Sequence, residues 1–265
     1  ICVGMIFLPR NDYSSQESCK TIVESELTKN DFSIYGWRQV PVNPKILGEK
    51  AFQTMPEIIQ VLFKSNDPNL IDKNLERKIY ETRKKIENKA FELSLNNFYI
   101  CSISSKSIIY KGLYLAEAIS DFYLDLKDKR FISRYAIFHQ RFSTNTAPSW
   151  SLAQPFRAIA HNGEINAIRG NRNWSRARSN NFETINIPKI QQFKQIVNET
   201  GSDSSALDNM LEILVSGGIN ILKSIRMIIP PAWQNAQLID PDVRSFHEYN
   251  SMHMEPWDGP AGIVM

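Results

Sequence analysis

Cysteine is scarce in this sequence. There are three in 265 residues, Cys2, Cys19 and Cys101, with no C-x-x-C pair. An odd number without that spacing indicates neither a disulfide framework nor a zinc module, and a reducing compartment fits it better than an oxidising one. Long apolar runs are absent too. None approaches the roughly 18–20 residues of a membrane-spanning helix, so no integral membrane protein is expected. Excess charge is also lacking: 31 Lys and Arg stand against 28 Asp and Glu, a net of +3. So small an excess does not by itself imply a polyanionic partner. No internal repeat or low-complexity tract occurs. What remains is ordinary, at 42% hydrophobic and 22% charged residues. That composition is too apolar for intrinsic disorder, and the length suits one large domain or two small ones.

Lys, Asn and Ile are unusually frequent, most visibly in the first hundred residues. This reads as the compositional bias of an AT-rich genome rather than a binding feature. The chain opens on Ile1-Cys2-Val3-Gly4-Met5-Ile6-Phe7-Leu8, the pattern of a buried strand, with no initiator Met and no targeting segment. It closes on the strand-like Ala261-Gly262-Ile263-Val264-Met265. Natural domains rarely start and stop inside core strands, so residues 1–265 are expected to be a piece truncated at both ends.

Between these ends, Asn11 to Asn30 is polar and reads as a loop leading into a short helix. Leu75, Ile79, Ile86, Ala90 and Leu93 form an apolar stripe at helical spacing, and the surrounding Lys, Glu and Arg read as its solvated face. Phe98–Ile103 and Ser107–Tyr110 suggest a hairpin. Leu115, Ile119, Phe122 and Tyr123 suggest a helix. Tyr135–His139 and Phe156–Ala160 read as short strands. Leu207, Met210, Leu211, Leu214 and Val215 mark a strong amphipathic helix, and Val243, Phe246 and Asn250 another. Strands and helices mix without regular alternation, which predicts an α+β fold.

The informative stretch runs from His139 to Trp174, where Asn, Arg, Ser and Thr crowd predicted strand ends. Polar groups placed there need partners, and a binding site on loops held by a sheet supplies a reason for them. Arg141 offers a planar fork suited to a carboxylate. Asn162 and Gly163 combine a side-chain amide with a backbone N–H that no Cβ obstructs, the makings of an oxyanion hole. Asp203, before the amphipathic helix, is placed to hold an ammonium group. Each has a plainer reading: a surface ion pair for Arg141, a turn for Asn162-Gly163, and a helix N-cap for Ser202-Asp203-Ser204. Only the combination argues for a site.

That combination resembles a known family. Gln140-Arg141-Phe142-Ser143-Thr144-Asn145-Thr146, His161-Asn162-Gly163-Glu164-Ile165-Asn166 and Ser202-Asp203-Ser204 resemble the glutamine-binding motifs of class II glutamine amidotransferases. Gly36-Trp37-Arg38-Gln39-Val40-Pro41-Val42, Tyr110-Lys111-Gly112, Arg169-Gly170-Asn171-Arg172-Asn173-Trp174 and Met254-Glu255-Pro256-Trp257-Asp258-Gly259-Pro260 are similar to the large-subunit glutamate synthases within that group. The likeness covers nearly the whole chain. It implies a four-layer αββα sandwich of the N-terminal-nucleophile hydrolase type, here incomplete. It also implies glutaminase chemistry, in which a cysteine thiol attacks the glutamine side-chain amide, ammonia leaves and water releases glutamate. By position, Arg141 is then expected to bind the glutamine α-carboxylate, Asp203 its α-amino group, and Asn162 with Gly163 the oxyanion. In the complete enzyme of the family, ammonia reacts with 2-oxoglutarate at a distant site and the imine is reduced with FMN and a 3Fe-4S cluster. Neither cofactor is expected on this chain, nor any other metal.

Two departures matter. The family nucleophile is an N-terminal cysteine in a Cys-Gly-Val-Gly-Phe-type opening, whereas Cys2 follows Ile1 and precedes Val3, and the Phe7-Leu8-Pro9 that comes after matches a later family strand. The catalytic cysteine is therefore expected outside this chain. Ala147 stands before Pro148 where the family tends to carry an aromatic residue. Two other readings compete. Arg169, Arg172, Arg176 and Arg178 around Trp174 form a basic and aromatic mixture like that of a nucleic-acid reader. Against that, the net charge is small and no such module is recognisable, so no nucleic-acid or membrane partner is expected. The chain by itself, without the nucleophile, would be an inactive packing scaffold. The compositional bias suits a gene of an algal plastid, which predicts ferredoxin as electron donor and the plastid stroma as location. An NADPH- or NADH-dependent enzyme of an AT-rich bacterial cytoplasm is the alternative.

Overall fold

The opening apolar run becomes strand β1 (Cys2–Leu8), and it lies inside a sheet rather than at an edge. The structure is a computed structural model that describes residues 1–142, 147–193 and 195–265. Ser143-Thr144-Asn145-Thr146, part of the first motif above, lie outside the described residues. The chain forms two units, Ile1–Ala160 and His161–Met265.

In the first unit, β1 is followed by α1 (Tyr13–Lys29), β2 (Phe32–Gln39), α2 (Glu49–Gln53), β3 (Glu57–Ser65), α3 (Asp72–Glu92), β4 (Tyr99–Ser104) and α4 (Ile119–Phe122). The strands form one antiparallel sheet in the order β2-β3-β1-β4. Side chains alternate across a strand, and the two faces bury separate cores. Cys2, Ile6 and Leu8 join Ile59, Val61 and Phe63 beneath Cys19, Val23 and Leu27 of α1 and Ile79 and Ile86 of α3. Met5, Phe7 and Ile58 join Val40, Ile109, Phe122, Tyr123 and Trp150 on the other face. A bulge in β4, where Ile6 opposes Ile100 but Met5 opposes Ser102, makes Cys101 the extra residue and sends it to this second core.

Several sequence expectations needed correction. Asn11–Asn30 is mostly helix, because the buried face of α1 mixes Cys19, Ile22, Val23 and Leu27 with Gln16 and Glu26, which blurs the apolar period. Gln16 earns its burial by donating from Nε2 to the Pro9 carbonyl at 2.6 Å. Asp12 caps the helix through the Ser15 N–H at 3.0 Å. Helix α3 forms as expected, yet its charged face is not all solvated, since Arg83 and Lys84 are buried. The hairpin partner Ser107–Tyr110 is not a strand. Its Ile109 packs in the second core while the Ile109 N–H bonds Ser102 Oγ at 3.1 Å, a link that a ladder would have supplied. Tyr135–His139 forms no strand, and Tyr135 and Phe138 are exposed. Residues 156–159 bend rather than forming a strand, with the Phe156 N–H bonded to the Ile159 carbonyl at 2.8 Å, and only Ala160 belongs to a strand.

The second unit contains all but the first residue of β5 (Ala160–Gly163), then α5 (Ile168–Ser179), α6 (Asp203–Ser216), α7 (Ile221–Ile228), α8 (Pro241–Ser251) and β6 (Ala261–Val264). Strands β5 and β6 pair with each other. Helix α6 buries Leu207, Met210, Leu211 and Leu214 as their spacing predicts, while Val215 lies at its more exposed margin. Helix α8 and strand β6 also form where expected. Helix α5 carries the Arg169–Trp174 motif, for which no element was expected.

In the first unit, Glu87 accepts from Arg83 at 2.8 Å, Lys84 at 3.2 Å and Arg157 at 3.2 Å. Burial alone would push its carboxyl up, but the three cations outweigh that and hold it well below the usual carboxylate range. A depressed folded-state pKa stabilises the fold above the unfolded value, about 4.3, and that contribution drains away as pH falls below it. Glu87→Gln should therefore cost about 3–5 kcal/mol near pH 7 by urea unfolding. The variant should lose less further stability than wild type between about pH 5 and pH 3. An unfolding midpoint unchanged by the substitution at pH 7 would refute the assignment.

Candidate active site

Strand β5 presents the sequence-predicted pair. His161 is buried, like Ala160 before it, while Asn162 and Gly163 are exposed at the outer end of the strand. Beyond it the ribbon continues irregularly: the Glu164 N–H bonds the Pro260 carbonyl at 3.0 Å and the Asn166 N–H the Asp258 carbonyl at 2.8 Å. This brings the His161–Asn166 motif against the Met254–Pro260 motif, almost a hundred residues away. The approach is close enough to demand glycine. A Cβ on Gly163 would lie 1.9 Å from the Pro260 carbonyl oxygen, and one on Gly259 1.8 Å from that of Glu164. The second motif is itself anchored by buried Trp257, whose backbone N–H bonds the Ile228 carbonyl at 2.7 Å, and by Asn171 Nδ2 on the Pro256 carbonyl at 3.0 Å.

Asp203 begins α6, with Ser202 as its N-cap accepting from the Ser205 N–H at 3.1 Å. The plainer reading of this motif as a cap therefore holds for Ser202, and it leaves the carboxylate of Asp203 for another use. Oδ2 accepts the Ile165 N–H at 2.8 Å and Oδ1 the Ser204 N–H at 2.7 Å. A carboxylate has about four acceptor positions, so two N–H donors leave room for a cation, and Asp203 is only half-buried. The structure thus gathers Asn162, Gly163 and Asp203 in one unit, the first two on the ribbon and the third bonded to it.

Arg141 belongs to the first unit. It is exposed, lies outside any strand, and its backbone N–H bonds His139 Nδ1 at 3.3 Å. With Tyr110, Tyr114, Ile119, Phe138 and Pro155 it lines a cleft of about 320 Å³, a size that small molecules use. The Tyr110-Lys111-Gly112 motif braces this cleft. Buried Lys111 donates to the Ser151 carbonyl at 2.8 Å and to Tyr99 Oη at 3.1 Å, and lies over the Tyr99 and Phe156 rings. A Cβ on Gly112 would come within 2.4 Å of Trp150. The Gly36–Val42 motif is structural in the same way: Arg38 forms a two-pronged pair with Asp125 at 2.7 and 2.5 Å.

Residues to which sequence reasoning assigned no role also meet at the second-unit site. Arg172 of α5 donates to the Gly201 carbonyl at 2.5 Å and so holds the loop that delivers Asp203. His161 bonds Ser204 at 2.8 Å. The signal for Arg172 was its presence in a motif, but nothing in the spacing shows that α5 and the start of α6 meet. The basic cluster on α5 is largely used internally: Arg176 pairs with Glu199 at 2.9 Å, Arg178 with Glu255, and Arg178 stacks on Trp174 at 5.0 Å.

Among the described residues no group of His, Cys, Asp and Glu is placed to hold a metal, and no helix is long and apolar enough to cross a membrane. The three cysteines do not fit an iron–sulfur cluster, because Cys2 and Cys19 lie in the core under α1 and α3 while Cys101 lies in the opposite one. All three are buried free thiols. Burial raises the pKa of Cys2, pushes that of Cys19 up to about 11 and that of Cys101 to about 12.

The sequence of this α+β chain matches one class of protein. The family description for class II glutamine amidotransferases matches residues 1–265, and the chain belongs to that family. Similar proteins include glutamate synthases. The chain is 44% identical to the NADPH glutamate synthase large chain of Azospirillum brasilense over all of its own length and 18% of that protein. It is 40% identical to ferredoxin-dependent glutamate synthase 2 of Synechocystis sp., over 99% of this chain and 17% of that protein. Identity is also 40% to the chloroplastic/mitochondrial ferredoxin-dependent glutamate synthase 1 of Arabidopsis thaliana, over 99% of this chain and 16% of that one. The chain thus spans under a fifth of the length of these relatives.

Because every thiol is buried and held protonated, a thiol-disulfide reagent at pH 8 should label none of the three cysteines within minutes in the native protein and all three in denaturant. Rapid native labelling of Cys2 would contradict the burial.

Proposed function

We propose that this chain is the glutaminase part of a glutamate synthase, releasing ammonia from glutamine for the reductive conversion of 2-oxoglutarate to glutamate. The observation that carries the reading is the bond from the Ile165 N–H to Asp203, which sets a carboxylate beside the exposed Asn162-Gly163 pair. In this reading the carboxylate of Asp203 takes the glutamine α-ammonium and the Arg141 fork its α-carboxylate. As a thiolate attacks the side-chain amide, the carbonyl oxygen becomes negative, and the Asn162 side-chain amide and Gly163 N–H stabilise it. Ammonia leaves, and water cleaves the thioester to glutamate.

The nucleophile we assign to a cysteine outside residues 1–265. Burial of Cys2, Cys19 and Cys101, with their pKa values raised, supports this, since the attacking species is a thiolate. FMN and a 3Fe-4S cluster, where the 2-oxoglutarate half-reaction takes place, belong in this reading to other parts of the enzyme. The complete domain we take to be a four-layer αββα sandwich. One sheet with α1 and α3 packed on a single face supports half of that arrangement. Both donor types occur among the relatives, so ferredoxin and the plastid stroma rest on the Lys, Asn and Ile bias. Turnover of the complete enzyme with NADPH or NADH, and none with reduced ferredoxin, would replace them with the bacterial alternative.

Two substitutions in the complete enzyme test the site. Arg141→Lys should weaken glutamine use strongly, because a point charge cannot replace a two-pronged fork, while ammonia-dependent glutamate formation survives. Equal loss of both activities would make Arg141 a folding residue. Asn162→Ala should lower glutaminase turnover by roughly 10²–10³-fold with a much smaller change in glutamine affinity. The opposite split, lost affinity at unchanged turnover, would assign Asn162 to ground-state binding.

A further inference from the structure

His161 sits between the two halves of the second-unit site. It is buried, directly precedes Asn162-Gly163 on β5, and its Nδ1 lies 2.8 Å from Ser204 Oγ at the start of α6. Ser204 is buried as well, its N–H bonds Asp203 Oδ1 at 2.7 Å, and its Oγ lies 3.3 Å from the same oxygen. One proton arrangement uses this chain of atoms throughout: Nδ1–H donates to Oγ, and the Ser204 hydroxyl donates to Asp203. The opposite edge of the ring braces the glycine. A Cβ on Gly163 would lie 2.9 Å from His161 Nε2, so the ring packs directly against the Gly163 backbone. The imidazole is thus a rigid strut, with one nitrogen toward the helix that carries the carboxylate and the other against the strand that carries the exposed donors.

We infer that His161 is a positioning residue for glutamine hydrolysis, acting through Ser204 to hold the Asn162-Gly163 donors and the Asp203 carboxylate at a fixed separation. This rests on the glutaminase reading above. A substrate held at its ammonium by one group and at its reacting carbonyl by another needs the spacing between them set, and a misplacement of about 1 Å costs about 10²-fold in rate. Strand β5 and helix α6 are separate elements. The Asp203–Ile165 bond ties them beyond the glycine, and the imidazole ties them before it. Two ties on either side of Asn162-Gly163 fix the orientation as well as the distance.

The test uses the complete enzyme, measuring glutamine-dependent and ammonia-dependent glutamate formation for His161→Phe, His161→Asn, Ser204→Ala and the Phe/Ala double variant. His161→Phe keeps the ring volume and removes the nitrogens. It should lower glutamine-dependent kcat/KM about tenfold to a hundredfold, with both kcat and KM affected and ammonia-dependent activity retained. His161→Asn, whose amide can reach the Nδ1 position, should recover most of the loss. Ser204→Ala deletes one oxygen from the same link, so the double variant should be no worse than the poorer single variant within about twofold. Should His161→Phe fail to fold, shown by parallel loss of ammonia-dependent activity, Ser204→Ala alone decides. The proposal is overturned if glutamine kinetics stay within about twofold of wild type in Ser204→Ala, if Asn rescues no better than Phe, or if the two losses multiply. Asn162→Ala and Asp203→Asn run alongside: if these too leave glutamine use intact, the glutaminase reading itself has failed.

Discussion

The site in the second unit depends on the carboxylate of Asp203. It stands at the N-terminus of α6, where the helix dipole favours negative charge, and it takes the Ile165 N–H from the ribbon that follows β5. Charge-assisted bonds of this kind are stronger than neutral ones. This bond ties the helix terminus to the ribbon beyond Gly163, as the His161–Ser204 contact ties them before it. The surroundings serve the same end: Arg172 fixes the loop before α6, Ser202 caps the helix, and the Asp258–Pro260 segment supplies the other edge of the ribbon.

The first unit solves a different problem. Its sheet is covered by two long helices on one face and by irregular chain on the other. Irregular chain has fewer backbone bonds of its own, so side chains must anchor it. Lys111 does so from within, its ammonium shared among the Ser151 carbonyl, Tyr99 Oη and two aromatic rings. Arg38 and Asp125 do so at the margin. A buried ammonium is costly unless so surrounded. Here it steadies the segment that forms the wall of the Arg141 cleft.

Much of the architecture was legible in order along the chain. Helices α3 and α6 follow from apolar periodicity because each buries one face, and β1 from an apolar run buried on both faces. Helix α8 and strand β6 form where expected, although α8 buries His247 and Asn250 and β6 is mostly exposed. Helix α1 was hidden, since Gln16 and Glu26 take interior positions that an apolar period does not count. Ser107–Tyr110 and Tyr135–His139 have the residues of strands but not the partners. Strand propensity describes a side chain that fits a pleated surface, and a ladder needs a neighbour that local sequence does not name. The buried Arg83 and Lys84 were unreadable for the same reason, because Glu87 accepts from both and also from Arg157, seventy residues further along the chain.

By itself the sequence determined the chemistry on offer: an arginine fork, an Asn-Gly pair, a helix-starting carboxylate, and three cysteines with no cluster spacing. Residue type and local order suffice for that, because donors, acceptors and caps act over a few positions. Only the tertiary structure decided which of these groups share a place. It put the Gly163 backbone against Pro260 and Gly259 against Glu164, distances that no periodicity encodes. It buried every thiol. It also turned His161 inward onto Ser204, joining two motifs that the sequence holds 43 residues apart. The reason is physical: side-chain identity sets what a group can do, but packing between elements distant in sequence sets what it meets.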